Sequence, residues 1–486
     1  MIPSVITQWL NEQKNEDLTF SGHDLLSKSL DMKKIYLIAL LLAVFIHTNA
    51  RINAGVARKV ITPDTPIWLS GYASRTKPAT EILCDLWAKA LVIGENDKIK
   101  VIIVTIDIIG LSHELSENIA QRVVTKYGIS RSQLLLNSSH THSGPVIWPS
   151  LSIMYDLGKE DLKALISYNS KLAGYIVDVI DLAILDLKPV NLSVSHGSAS
   201  VAVNRRQQSE KGIVIGVNDD GHVDNDVPVL KVETPDGKVE AVLFGYACHN
   251  TTLDTYQING DYAGFAQIEI EKANQGVTAM YLAGCGADQN PNPRRTVELA
   301  MQHGKTLADA VQKVLSGEFI PVHLPVRTDL TTIDLEFSPV NPDKLKEEVI
   351  GDNLFSAERS RFILMAMDKG YDVTTLEYPV QAIRFSNDFT ILALAGEVVV
   401  DYSLIAKARY PKENLFVAGY SNEVQCYIPT AKVLKEGGYE PETSMIYYGL
   451  PGPLAGNVEE KIFSGIDRVM KKTGAKPVRG KYSVAE

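Results

Sequence analysis

Leu134-Leu135-Leu136-Asn137-Ser138-Ser139-His140-Thr141-His142-Ser143-Gly144-Pro145 passes from a short apolar run straight into polar residues. The apolar half is too short for a helix and reads as a buried strand. The polar half offers two imidazoles and several hydroxyls before Gly-Pro turns the chain. The same order recurs along the sequence. Val239 to Ala247 leads into Cys248-His249-Asn250, and Thr278 to Leu282 leads into a loop holding Asp288 and Asn290. Phe389 to Leu394 leads into Gly396-Glu397, and Leu415 to Tyr420 leads into Ser421-Asn422 and on to Tyr427. Loops at strand ends are where α/β folds place their sites.

Outward from these strands, helical and extended segments alternate. Residues 112–126, 160–187, 261–274, 296–314 and 453–472 carry helical spacing, and Ser112 suits a helix cap. Residues 85–94 and 99–106 read as a strand pair, and 228–248 as a hairpin turned by Thr234-Pro235-Asp236-Gly237-Lys238. Residues 319–345 read as extended. The pattern predicts an α/β (α+β mixed) fold with mixed sheets flanked by helices.

Composition narrows the function. The 486 residues are 45% hydrophobic and 22% charged, which excludes a mostly disordered chain. A formal net charge of −10 gives no general electrostatic reason to bind nucleic acid. The four cysteines form no CxxC pair, so a zinc ribbon or thioredoxin site is excluded, while disulfides and free thiols both remain open. There is no G-x-S-x-G elbow, P-loop or dinucleotide fingerprint.

Near the N-terminus, Met32-Lys33-Lys34, an apolar run from Ile35 to Ile46 and Asn49-Ala50 together read as a secretory signal peptide. A buried helix in an intact N-terminus is the competing reading. The signal-peptide reading makes 1–31 an upstream extension, 32–50 the signal peptide, 51–475 one catalytic domain and 476–486 a tail. It predicts a secreted or periplasmic protein.

Two or three imidazoles and a carboxylate, if the fold gathers them, make a Zn²⁺ set. A further histidine beside them suits proton transfer or oxyanion stabilisation. Any one of these histidines reads equally well as a satisfied structural residue. Asn204-Arg205-Arg206 follows an alternating segment and suits an anion or a substrate oxygen, or is simply surface charge. Gly286 to Pro291 is either a donor-rich site loop or a plain turn.

The motifs also occur in a family order. The His140/His142 segment, Ala54-Gly55-Val56-Ala57, Gly71-Tyr72-Ala73, Val203-Asn204-Arg205, Tyr246-Ala247-Cys248-His249-Asn250, Asn259-Gly260-Asp261-Tyr262, Leu394-Ala395-Gly396-Glu397, Tyr427 and Gly438-Tyr439-Glu440 resemble the neutral/alkaline non-lysosomal ceramidases over roughly residues 53 to 470. The resemblance implies a ceramidase-like catalytic domain with one catalytic Zn²⁺ on His140, His249, Glu397 and Tyr427. It implies that His142 lies beside the metal and the substrate amide, and that Arg205 and Tyr439 contact substrate or oxyanion. It further implies hydrolysis of an N-acylsphingosine or related N-acyl compound, a small-molecule or lipid substrate, and peripheral membrane contact. No oligomeric state follows.

Three departures stand out. Asp288-Gln289-Asn290-Pro291-Asn292 aligns with the family's Gly-Asp-Val-Ser-Pro-Asn loop, so Asn290 replaces a serine. An amide cannot act as a nucleophile but donates a hydrogen bond. Asn250 stands where proline is usual, and the length leaves no room for the family's C-terminal immunoglobulin-like domain. A non-lipid amide, an ester, a carbohydrate conjugate, or binding without catalysis are therefore the alternatives to ceramide hydrolysis.

Overall fold

In a computed structural model of the chain, residues 52–96 and 98–478 are described. The expected extension and signal peptide lie outside the described residues, as does the tail beyond 478.

Val101 to Ile106 is almost continuously β-branched, and the strand Lys98–Ile106 is buried along that run. It pairs antiparallel with Trp87–Glu95 and parallel with Leu134–Ser138. The helix His113–Tyr127 makes the crossover. Ser112 caps its start by accepting from Leu115 N, and Gly128, at φ 63°, ends it in the left-handed conformation.

Side chains alternate across this sheet, as strand geometry requires. Ile102, Val104, Leu134 and Leu136 face the helices His113–Tyr127 and Lys159–Leu185. Val101, Ile103 and Leu135 face a central core instead. Two further sheets turn a face to that same core. Leu230, Leu243 and Met280 come from a sheet that includes Asp226–Glu233, Val239–Tyr246 and Thr278–Ala283. Ile383, Ile391 and Phe416 come from one that includes Thr375–Phe385, Phe389–Leu394 and Leu415–Ala418. Each sheet is covered on its outer face by helices: Asp261–Ala273 and Val297–Leu315 on the second, Asp401–Arg409 and Val458–Thr473 on the third. The fold is thus the expected mixed α/β type.

Each of the three sheets contains one parallel pair. These are Lys98–Ile106 with Leu134–Ser138, Val239–Tyr246 with Thr278–Ala283, and Phe389–Leu394 with Leu415–Ala418. Their C-terminal ends converge at Asn137, which is fully buried. Its Nδ2 donates to the carbonyl of Gly419 (2.8 Å), and its Oδ1 accepts from Ala283 N (2.8 Å). One carboxamide therefore ties together the three strand ends that carry the quoted motifs.

Some sequence expectations need correction. Asn204, Arg205 and Arg206 lie inside the strand Ala202–Ser209, with a register irregularity between 204 and 206, and all three are buried rather than at the surface. The segment read as extended to 345 turns helical at Pro342–Val349, where Asn341 caps and Pro342 starts the first turn. A helix at Leu354–Asp368, capped by Asn353, was not anticipated. All four cysteines are free thiols. No helix among the described residues is long and apolar enough to cross a membrane.

Candidate metal centre

His140 follows directly from the strand Leu134–Ser138 and adopts φ 61°, a conformation costly for a non-glycine residue. Its backbone is held there by His140 N donating to Ile108 O (2.9 Å) and Ser139 N donating to Ile106 O (2.9 Å). Its imidazole Nδ1 lies 2.5 Å from Ile109 O, and the ring stacks on Tyr420. His249 repeats the arrangement from a second sheet, with Nδ1 2.8 Å from Gly286 O. A ring that donates Nδ1–H to a carbonyl turns its Nε2 lone pair the other way. Both lone pairs meet Glu397, whose Oε2 is 3.1 Å from His140 Nε2 and 3.0 Å from His249 Nε2. Tyr448 fixes that carboxylate by donating to Oε1 (2.5 Å).

The charge state suits a cation. Burial pushes the pKa of His249 down to about 4, with Arg205 adding to the effect. Burial alone would raise the Glu397 carboxyl, but His140 and His249 beside it more than offset this and hold it well below the usual range. A neutral His249 imidazole and an ionised Glu397 carboxylate therefore face one another beside His140, and that donor set fits a metal ion.

Tyr427 lies at the same place. Its hydroxyl is 3.3 Å from His249 Nε2 and accepts from Arg205 Nη2 at 3.1 Å. His142 joins the cluster as well. Its Nε2 is 3.3 Å from His140 Nε2, and the ligand atoms of His140, His142 and His249 all lie within 4.8 Å of one another. Burial, then the neighbouring imidazoles, keep the His142 pKa well below the usual histidine value. Its ring is seated against Gly71, where an added Cβ would lie 2.2 Å from Nδ1. The buried Arg75 holds its backbone by donating to His142 O (2.7 Å).

Arg205 reaches the centre from the strand Ala202–Ser209. Its Nε donates to Glu440 (2.8 Å), which also accepts from Arg206 (2.5 Å). Tyr439 packs against Tyr427 and against the Arg205 guanidinium. Asn290 sits on the short strand Gln289–Pro291, which pairs with Ala202, Val203 and Asn204. Its Oδ1 accepts from Thr251 Oγ1 (3.1 Å), and among the described residues its Nδ2 has no hydrogen-bond partner. A cleft of about 270 Å³ opens here, lined by His142, Arg205, Asn290, Tyr427 and Tyr439 among others. All eight sequence-predicted residues thus fall at one place. Asn250 also gains a role. Its Nδ2 donates to Ser139 O and its Oδ1 accepts from Ala263 N (3.3 Å), joining the His140 turn to the His249 loop. Sequence reasoning missed Tyr448, Glu440 as a partner of Arg205, and Arg75. None carries a local signal, because each acts across a long loop closure.

Comparisons with known proteins place the family and the fold. The family model for the N-terminal part of neutral/alkaline non-lysosomal ceramidase matches residues 53–306. That span includes His140, His142, Arg205, His249 and Asn290, but not Glu397, Tyr427 or Tyr439. Neutral ceramidase B of Dictyostelium discoideum is 23% identical over 242 residues, which are 47% of this chain and 32% of that protein. The chain therefore matches about a third of the length of that relative. The crystal structure of neutral ceramidase from Pseudomonas aeruginosa superposes with a TM-score of 0.66 at 18% identity, covering 90% of this chain and 77% of that one. A ceramidase structure described as complexed with C2 gives 0.67 at 17% identity with the same coverage. The likeness of fold extends well beyond the matched segment, and the chain belongs to the neutral/alkaline non-lysosomal ceramidase family.

Proposed function

We propose that this chain is a zinc-dependent hydrolase that cleaves the amide of an N-acyl substrate. The observation that carries the reading is the pair of Nδ1-anchored imidazoles, His140 and His249, directing Nε2 at one oxygen of Glu397. In the ligand set we favour, Tyr427 is the fourth member and His142 stays outside it. A bound zinc ion supplies a lowered pKa for water and a polarised carbonyl.

The chain's own residues supply the rest. His142 is neutral, so its Nε2 accepts a proton as the amide is attacked and returns it to the leaving nitrogen. Arg205 and Tyr439 donate to the developing oxyanion, with Glu440 holding Arg205 in place. Asn290 lines the cleft and offers its Nδ2 to position the substrate without any covalent step. The small cleft, with three arginines in its lining, favours a short polar amide over a long-chain ceramide. Residues 32–50 serve, in this reading, as a signal peptide. N-terminal sequencing of exported protein should begin near Arg51, and an exported chain that retains Met32 overturns that part.

Zinc analysis and amide hydrolysis with and without chelator test the proposal. About one zinc per chain and chelator-sensitive turnover are expected for a catalytic site of this type. Less than about half a zinc per chain, with activity unaffected by His140→Ala or His249→Ala, would sink it.

A further inference from the structure

The cleft beside the metal centre is positively charged, in a protein that is acidic as a whole. Its lining includes Arg205, Arg294 and Arg295 and no aspartate or glutamate, against a formal net charge of −10 for the chain. The three arginines are not equivalent. Arg205 is already matched by Glu440 at 2.8 Å. Arg295 pairs with Asp254 at 2.8 Å on the exposed rim. Arg294 is partly buried in the wall and has no ion pair or hydrogen bond with any described residue. Burial, and then the charges of Arg295 and Arg205, work against its own charge and lower its pKa.

The loop holds Arg294 in this position on both sides. Asn292 N donates to Val201 O (3.2 Å) and Arg295 N donates to Thr252 O (2.7 Å). The same short segment carries Asn290. A guanidinium presents a planar fork of donors that matches a carboxylate or phosphate. An unmatched one in the wall of a small cleft, beside arginines whose own charges are already paired, is open to an anion. The cleft is also modest, about 270 Å³ beside the roughly 300–1,000 Å³ usual for drug-sized ligands.

We propose that the amide substrate carries an anionic group, a carboxylate or a phosphate, that docks on Arg294 while the scissile amide lies between His142 and Arg205. This rests on the hydrolase reading and names its substrate class. Arg294 acts as a specificity determinant and takes no part in bond cleavage.

The test uses the full-length, zinc-loaded chain and short N-acyl compounds in matched pairs. N-acylglycine is set against N-acylglycinamide, and N-acylethanolamine phosphate against N-acylethanolamine. The anionic member of at least one pair should be preferred in kcat/KM by about tenfold or more, the scale of a charge-assisted hydrogen bond. The pair that shows the preference identifies carboxylate or phosphate. Arg294→Gln should collapse that ratio, chiefly through KM, and Arg294→Lys should restore part of it. Equal turnover of charged and neutral members, or a ratio unchanged in Arg294→Gln, overturns the inference and leaves the hydrolase reading intact. Calorimetric binding of the same compounds covers the other case. Charge-selective binding lost in Arg294→Gln, without turnover of any amide, sustains the inference and overturns the hydrolase. Absence of both overturns both.

Discussion

The two walls of the cleft are built differently. At the metal centre, His140, His249 and Glu397 each have their outer polar atom bound to the protein, by Ile109 O, Gly286 O and the Tyr448 hydroxyl. Across the cleft, Asn290 Nδ2 and the Arg294 guanidinium have no partner among the described residues. One wall is locked. The other is open and holds Asn290 and Arg294. The two walls are nonetheless coupled, because His249 N donates to Gln289 O (3.0 Å) and Arg205 N donates to Asp288 O (2.8 Å), beside Asn290.

The sharpest way to break this contrast is His249→Ala. It removes one of the two imidazoles that hold Glu397, so metal analysis should give less than about half a zinc per chain. Turnover should drop by roughly three orders of magnitude, the upper range for loss of a single electrostatic stabiliser. Next comes Gly71→Ala. The residue sits at φ 95°, and its new Cβ would collide with His142 Nδ1. A shift of about 1 Å in a catalytic group costs on the order of 10²-fold, so kcat should fall by about that much with zinc content unchanged. If zinc is lost in parallel, His142 is a ligand and belongs to the locked wall. Tyr448→Phe removes only the donor to Glu397 Oε1, and a zinc titration should show affinity weakened by about 10- to 100-fold.

The smallest effect concerns stability and the base of the open wall. Burial raises the Asp288 carboxyl from 3.8 to about 7. A group with a raised folded pKa binds more protons in the native state than in the unfolded one. Its stabilising contribution is therefore complete below about pH 4 and is lost as pH rises through about 7. Urea unfolding at a series of pH values should show wild-type stability declining across that window. Asp288→Asn, which keeps an acceptor for Val400 N, should flatten the decline. Equal slopes would mean that Asp288 ionises at its ordinary value.

Much of the locked wall was legible in the sequence, because a buried strand is an apolar run and its end is marked by the first polar residue. Leu134 to Ser138 followed by His140 shows this directly. The geometry around those ends was not legible. Tyr448 reaches Glu397 across 51 residues, and Glu440 reaches Arg205 across 235. No local pattern encodes such closures. Arg205 was read as lying beyond its strand because a polar run resembles a loop. Its burial depends on Glu440, Arg206 and the register irregularity, which only the tertiary structure supplies. The helix at Pro342–Val349 is a different case: the Asn341-Pro342-Asp343 start signal is present in the sequence, but charged residues masked its short apolar stripe.

Asn137 bears on how the chain reaches its native state. Its carboxamide closes three strand ends that are remote in sequence, and pairings of high contact order carry loop-closure entropy before they return any contact energy. His140 sits just beyond the first of those ends, and His249 and Glu397 follow the strands paired in parallel with the other two. The three side chains can converge only after all three sheets have docked, so an ion bound there, as proposed, would discriminate between finished and unfinished chains. Binding to the native state alone adds about 2.7 kcal/mol when free zinc is at a hundred times its dissociation constant. Thermal unfolding should therefore shift upward with zinc and lose that dependence in Asn137→Leu. In the proposed enzyme the metal would thus act as a check on completed folding as well as a catalytic group.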